Sequence, residues 1–240
     1  MAGPTSGPVT PPPPTITNPK VAILNFGQSV QLGSTAGVAP AQEYAAEFPN
    51  VYYGDNLIQY GVNYDGVLFG PDLSLAKEFS EKYPNGTLYM EKEAVSGVGL
   101  SNWDDPTEKA RLLNAYGALR QRVANVPNCK VIFNCIHGTN AAIHLAEAET
   151  YYQDFDNIVS ELETAHGSFD NVILNYLGDI PPAMHGFWVR EQCIQWVSEH
   201  PYAVGFDLNK YQKDVDQIHY TEQSNYDMGK DLLDTIIGLH

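Results

Sequence analysis

The chain has little cysteine, little positive charge and no long apolar run. Three cysteines in 240 residues, Cys129, Cys135 and Cys193, are too few and too unpatterned for a disulfide framework or a thiolate zinc site. Cys129 and Cys135 flank or lie within a predicted core strand, where a thiol serves as a small buried hydrophobe. Thirteen Lys and Arg stand against 29 Asp and Glu, a formal charge of −16. Such a surface repels phosphate backbones and anionic lipid, so neither nucleic acid nor a membrane is expected as a partner. No stretch approaches the roughly 20 apolar residues of a membrane helix, and no basic segment followed by an apolar one stands near the start. No export signal or transmembrane segment is therefore expected; an extracellular or virion-associated place stays open. His144, His166, His185 and His200 lack metal-ligand spacing.

What is present is enough to build a core. Hydrophobic residues make up 43% of the chain, and its length fits one domain with a tail. Residues 1–19 are rich in proline, uncharged up to that point and almost free of large apolar side chains. Such a segment favours extended polyproline conformations and cannot bury a core. It is read as a flexible arm or linker, either a plain tail or a tether to a larger assembly, ahead of a domain over 20–240.

Within that domain, short apolar runs alternate with amphipathic stretches. Strands are predicted around 20–27, 86–95, 130–136, 172–177 and 202–206, and helices over 72–83, 107–124, 147–165, 185–198 and 221–237. Strand-helix alternation argues for a parallel five-stranded sheet in a three-layer α/β/α sandwich. The interval after the first strand holds Tyr44, Tyr52, Tyr53, Tyr60 and Tyr64 without a long period, and is expected to form short turns and loops.

Two short segments carry the chemistry. Lys20 to Phe26 is a buried-strand pattern that breaks at Gly27 and delivers Ser29 just beyond the strand end. In open α/β sheets that is where ligands bind, although a turn serine bonding its own backbone fits the same residues. Near the other end, Asp216 precedes His219 by three residues, ahead of the final helix. The spacing lets the carboxylate fix one ring nitrogen while the other faces a hydroxyl as general base. A surface turn capping the helix is the competing reading.

Taken together, Gly27-Gln28-Ser29 and Asp216-x-x-His219 resemble the first and last blocks of the SGNH (GDSL-like) hydrolases. They are most similar to the branch of carbohydrate esterase family 6 and the sialate O-acetylesterase-like proteins, which has Gly-Gln-Ser for Gly-Asp-Ser. Gly70-Pro71-Asp72 looks like that branch's Gly-Pro-Glu helix start. The segment from Ala94 to Trp103 resembles the second block, His137-Gly138-Thr139-Asn140 the third, and Val189-Arg190-Glu191-Gln192 a late helix motif. Two departures stand out: His-Gly-Thr-Asn replaces the branch's usual Gln-Gly-Glu, and Val30 replaces the asparagine that commonly follows Gly-Gln-Ser.

The resemblance implies a flavodoxin-like fold and a serine esterase acting on an acetylated carbohydrate, with Ser29, His219 and Asp216 as catalytic triad. It implies an oxyanion hole from the Ser29 and Gly97 amides and the Asn140 side chain, with no metal or organic cofactor. Gln28, Trp103 and His137 are candidate substrate contacts, although Trp103 equally fits a core plug and His137 a loop-ordering role. The other functions kept open are an esterase, lipase or thioesterase for a non-sugar substrate, and a non-catalytic carbohydrate-binding or structural module.

Overall fold

The computed structural model describes residues 16–32, 42–44, 46–58, 70–178, 181 and 185–239. The expectations for 1–15, for Tyr60 and Tyr64 and for most of the stretch following Leu32 lie outside the described residues. Seven strands form one sheet: β1 Lys20–Gly27, β2 Val51–Tyr53, β3 Asn56–Leu57, β4 Thr87–Ala94, β5 Lys130–Ile136, β6 Asn171–Tyr176 and β7 Ala203–Asp207. Their order is β3-β2-β4-β1-β5-β6-β7, parallel throughout except for the β2–β3 pair.

The five predicted strands are β1, β4, β5, β6 and β7; the sheet has two more. β2 and β3 run for three and two residues, too short for a hydrophobic period to show. Their neighbour Asn50 holds them in place, donating from Nδ2 to the Tyr83 and Gly86 carbonyls at 2.8 and 3.1 Å and accepting from Leu88 N at 3.0 Å.

Alternation along β1 sends Val21 and Ile23 to one face and Ala22, Leu24 and Phe26 to the other, and both faces are covered. Helices α2 Pro71–Lys82 and α7 Glu222–Gly238 cover the first. Helices α3 Pro106–Val123, α5 Leu145–His166 and α6 Gly186–Glu199 cover the second. This is a three-layer α/β/α arrangement. Two short helices follow strand ends, α1 Ser29–Leu32 after β1 and α4 Thr139–Ile143 after β5. None of the described helices is long and apolar enough to cross a membrane.

Local chemistry sets the helix ends. Asp105 caps α3, accepting from Thr107 N at 2.8 Å, with Pro106 in the first turn. Thr221 caps α7 by accepting from Ser224 N at 3.2 Å. Packing of α7 on α2 depends on Gly229, where a Cβ would lie 1.9 Å from Ser74 Oγ and 2.1 Å from the Pro71 carbonyl. That close approach carries the chain back from β7 at the sheet edge, so the segment preceding α7 returns across the sheet.

In chain order the five long strands lie 2-1-3-4-5. Connections leave β1 to opposite sides, and the crevice of such a sheet opens at the carboxyl ends of the strands flanking that switch. Two residues before the end of β1, the sheet carries a buried polar row. Asn134 Nδ2 donates to Asn25 Oδ1 at 2.8 Å, Asn175 Nδ2 donates to Asn134 Oδ1 at 3.2 Å and also to the Cys135 carbonyl, and all three side chains are fully buried. On the neighbouring strand, Lys92 pairs with buried Asp72 of α2 at 3.4 Å.

Asn134 links both other asparagines, so Asn134→Ala leaves Asn25 Oδ1 and one Asn175 N–H without that partner. Urea unfolding is expected to show a loss of about 1–3 kcal/mol, the cost of a buried polar group left unpaired. An unchanged midpoint would mean the row is not stabilising.

Candidate active site

Gly27 closes β1 because nothing larger fits: a Cβ there would lie 2.2 Å from the Ile136 carbonyl. Gln28 N donates to that carbonyl at 3.3 Å, and Ser29, half-buried, opens α1 immediately beyond. Strand β1 therefore delivers the hydroxyl to the carboxyl edge of the sheet at its topological switch.

The segment 208–221, between β7 and α7, folds back on itself. Lys213 and Tyr220 form an antiparallel bridge, Asp214 N donates to the His219 carbonyl at 2.7 Å, and Gln217 takes a left-handed conformation at φ 59° in the turn. Asp216 Oδ1 accepts from the backbone amides of Ile218 and His219, both at 2.9 Å. Its other oxygen lies 2.6 Å from His219 Nδ1, and His219 Nε2 lies 2.9 Å from Ser29 Oγ. An acceptor-only carboxylate makes Nδ1 the protonated nitrogen, which leaves Nε2 free to accept from the Ser29 hydroxyl.

Desolvation acts to raise the Asp216 pKa. The His219 and Ile218 backbone amides, with the imidazole, outweigh it and hold the carboxyl below its ordinary range. Asp207, the other acid near this strand end, is engaged elsewhere. It pairs with Arg190 at 2.9 and 2.7 Å and accepts from Asn209 N at 2.9 Å, and the Arg190 hydrogen bonds lead in lowering its pKa.

The two neighbours of β1 bring the other expected donors to the same edge. Val95 N donates to the Gly27 carbonyl at 3.1 Å, tying the end of β4 to β1, and Gly97 follows in an exposed turn at φ 74°. After β5, Gly138 at φ 113° starts α4, whose first turn holds Asn140, half-buried. Ser29, Gly97 and Asn140 thus lie beyond three adjacent strands.

The three candidate substrate contacts are corrected, for a shared reason: their side chains are inside. Gln28 is 2% exposed. With its amide turned so that both ends are satisfied, it donates to the Val98 carbonyl at 3.2 Å and accepts from Thr139 Oγ1 and Thr139 N at 2.9 and 3.0 Å. It braces the turns holding Gly97 and Asn140 rather than meeting a ligand. Trp103 is 2% exposed and sits edge-on to Phe26 at 4.7 Å, a core plug. His137, 1% exposed, stacks on the other flank of that core, 5.8 Å from Phe26 with the rings nearly parallel.

Burial pushes the His137 pKa down to about 3, offset only in part by the Val98 carbonyl. An imidazole neutral in the folded chain but titrating near 6.5 when unfolded makes the unfolded state bind the extra proton between those values, so stability rises with pH through that window. His137→Phe is expected to reduce the stability difference between pH 7 and pH 5 by about 2 kcal/mol in denaturant titrations. An undiminished difference would mean that His137 is not the group responsible.

One residue near the site was missed. Glu147, in the first turn of α5, accepts from Asn140 Nδ2 at 3.0 and 3.3 Å through its two oxygens. Nothing in the sequence ties Glu147 to Asn140 beyond a separation of seven, which spans the break between α4 and α5.

A hydroxyl bonded to an imidazole that a carboxylate orients, beside backbone and amide donors, has the parts of nucleophilic acyl transfer. No protein-family model and no curated protein sequence matches the chain. Solved structures do match in fold. A protein from Arabidopsis thaliana superposes with TM-score 0.72 at 14% identity, over 92% of this chain and 98% of the other. The acetylxylan esterase Axe2 from Geobacillus stearothermophilus gives 0.57 at 14% identity, over 92% and 94%. An aryl esterase of M. smegmatis gives 0.56 at 19% identity, over 91% and 99%. The chain has the fold of the SGNH (GDSL-like) hydrolases.

Proposed function

We propose that this chain is a serine ester hydrolase that removes acetyl groups from a carbohydrate. The observation that carries the reading is the Ser29–His219–Asp216 relay, assembled from residues 190 apart with both contacts at hydrogen-bonding distance.

In this mechanism His219 Nε2 takes the Ser29 proton as Oγ attacks the acyl carbon, and Asp216 stabilises the imidazolium that results. The Ser29 and Gly97 amides and Asn140 Nδ2 donate to the oxyanion of the tetrahedral intermediate. His219 then gives its proton to the departing sugar hydroxyl, leaving an acetyl-serine. Water, deprotonated by the same imidazole, attacks it, and as acetate leaves the imidazolium returns the proton to Ser29 Oγ. These steps need no group beyond the chain's own residues and water.

Support for a sugar as the alcohol half comes from two sides. Solved structures of this fold include the acetylxylan esterase above and Est24, a carbohydrate acetylesterase from Sinorhizobium meliloti. On the chain itself, Phe187 and Trp188 stand 69% and 48% exposed at the start of α6, and the preceding His185 donates from its backbone to the Ala142 carbonyl of α4. Broad apolar ring faces suit the C–H face of a sugar ring, and the Trp188 indole adds an N–H donor.

The test is acetate release from acetylated xylo-oligosaccharide, run beside p-nitrophenyl acetate and p-nitrophenyl octanoate. Release from the sugar, with acetate preferred over octanoate, is the expected result. Turnover of the aryl esters alone would move the assignment to a non-sugar esterase. No turnover of any of the three would favour a binding module.

A further inference from the structure

We infer that Glu147 is a positioning residue for the oxyanion hole, holding the Asn140 side chain so that its amide nitrogen, not its oxygen, faces the reacting acyl group. The inference rests on the proposed role of Asn140 as an oxyanion donor.

An asparagine amide is nearly symmetric in shape and opposite in polarity at its two ends. In the wrong orientation, Asn140 would present Oδ1 to a developing negative charge and raise the barrier instead of lowering it. A carboxylate accepts hydrogen bonds and donates none, so it can pair only with the nitrogen end. Both Glu147 oxygens lie on Nδ2, at 3.3 and 3.0 Å. That occupies one N–H of the amide and leaves the second free to donate elsewhere. Glu147 thereby sets the sign of the dipole that Asn140 offers, without touching the substrate.

Its surroundings keep Glu147 there. It occupies the first turn of α5, where a negative charge is favoured by the helix dipole, and its N donates to the His144 carbonyl at 3.1 Å. On its other side Gly99 is buried, and a Cβ at that position would lie 1.9 Å from Oε2. The Gly99 backbone, at φ −83° and ψ 173°, is open to any residue, so the glycine there makes room for the carboxylate and not for an unusual backbone. Gly99 stands two residues after Gly97, at the N-cap of the short helix Leu100–Asp104. The carboxylate therefore bonds the segment that carries one donor and packs closely against the segment that carries another.

The experiment is a double-mutant cycle on kcat and KM for p-nitrophenyl acetate, with thermal unfolding of every variant alongside. Asn140→Ala is expected to lower kcat on the order of a hundredfold, as loss of one oxyanion donor does elsewhere. Glu147→Ala should lower kcat on the order of tenfold with KM little changed, the size of one hydrogen bond to a charged acceptor. Glu147→Gln, whose side-chain oxygen still accepts from Nδ2, should recover part of that loss. In the Asn140→Ala background, Glu147→Ala should cost nothing further, because the group it positions is gone. A further tenfold loss in the double mutant would overturn the proposal, as would wild-type kcat in folded Glu147→Ala. If Asn140→Ala itself keeps full activity, the oxyanion assignment is what fails.

Discussion

Replacing Ser29 by alanine is expected to lower kcat/KM for p-nitrophenyl acetate by about four orders of magnitude or more, while the melting temperature stays near that of the wild type. The substitution removes one oxygen from a half-buried side chain at the first position of a one-turn helix. Its partner His219 is partly open to solvent, with 28% of its side chain exposed, so the freed Nε2 can be hydrated without an unpaired buried group. Loss of activity without loss of stability separates a nucleophile from a turn serine. Circular dichroism melts beside the kinetics read both.

Asp216→Asn is expected to be nearly as damaging, about three to four orders of magnitude in kcat, by reversing the imidazole rather than by removing a charge alone. Asp216 Oδ1 accepts from two backbone amides. An asparagine placed there must keep its oxygen toward those amides, which turns its NH2 to His219 Nδ1. That nitrogen then has to accept, the proton moves to Nε2, and Nε2 can no longer take the Ser29 proton. The pH dependence has a definite sign. Because the Asp216 carboxyl is held below its ordinary range, its stabilising bonds are in place above that range and are lost as pH falls through the lowered value. The stability gap between wild type and Asp216→Asn should therefore close in acid.

The framework of the fold was legible because its long elements have strong periods. Strand β5 lies at the predicted 130–136, and α3 and α7 fall within a residue or so of expectation. The buried stripes of α3 and α5, Leu112, Tyr116 and Leu119 in one and Tyr151, Phe155 and Leu162 in the other, fall at helical spacing along the chain. What escaped were elements of two to five residues, β2, β3, α1 and α4, too short for a period to repeat. Those last two hold Ser29 and Asn140, so the local geometry around the site was the least readable part of the chain.

Within the site, Ser29, Asp216 and His219 were singled out because their residue types and spacing carry chemistry, and the structure places His219 within hydrogen-bonding distance of the other two. Burial was the failure. Trp103, His137 and Gln28 stand near the site in sequence and inside the core or the bracing network in space, and no local pattern separates a ring that faces substrate from one that stacks on Phe26. The buried asparagines had a visible signal, one polar residue near the end of each of three apolar strands, yet their pairing depends on a register only the sheet reveals.

The central claim is that Ser29 carries the acyl group, and mass spectrometry of the acid-quenched enzyme tests it most directly. After mixing with excess p-nitrophenyl acetate, the account predicts a mass gain of one acetyl group, confined to the peptide containing Ser29 and absent from Ser29→Ala. Turnover without that adduct at any quench time, or an adduct of equal yield in Ser29→Ala, would contradict it.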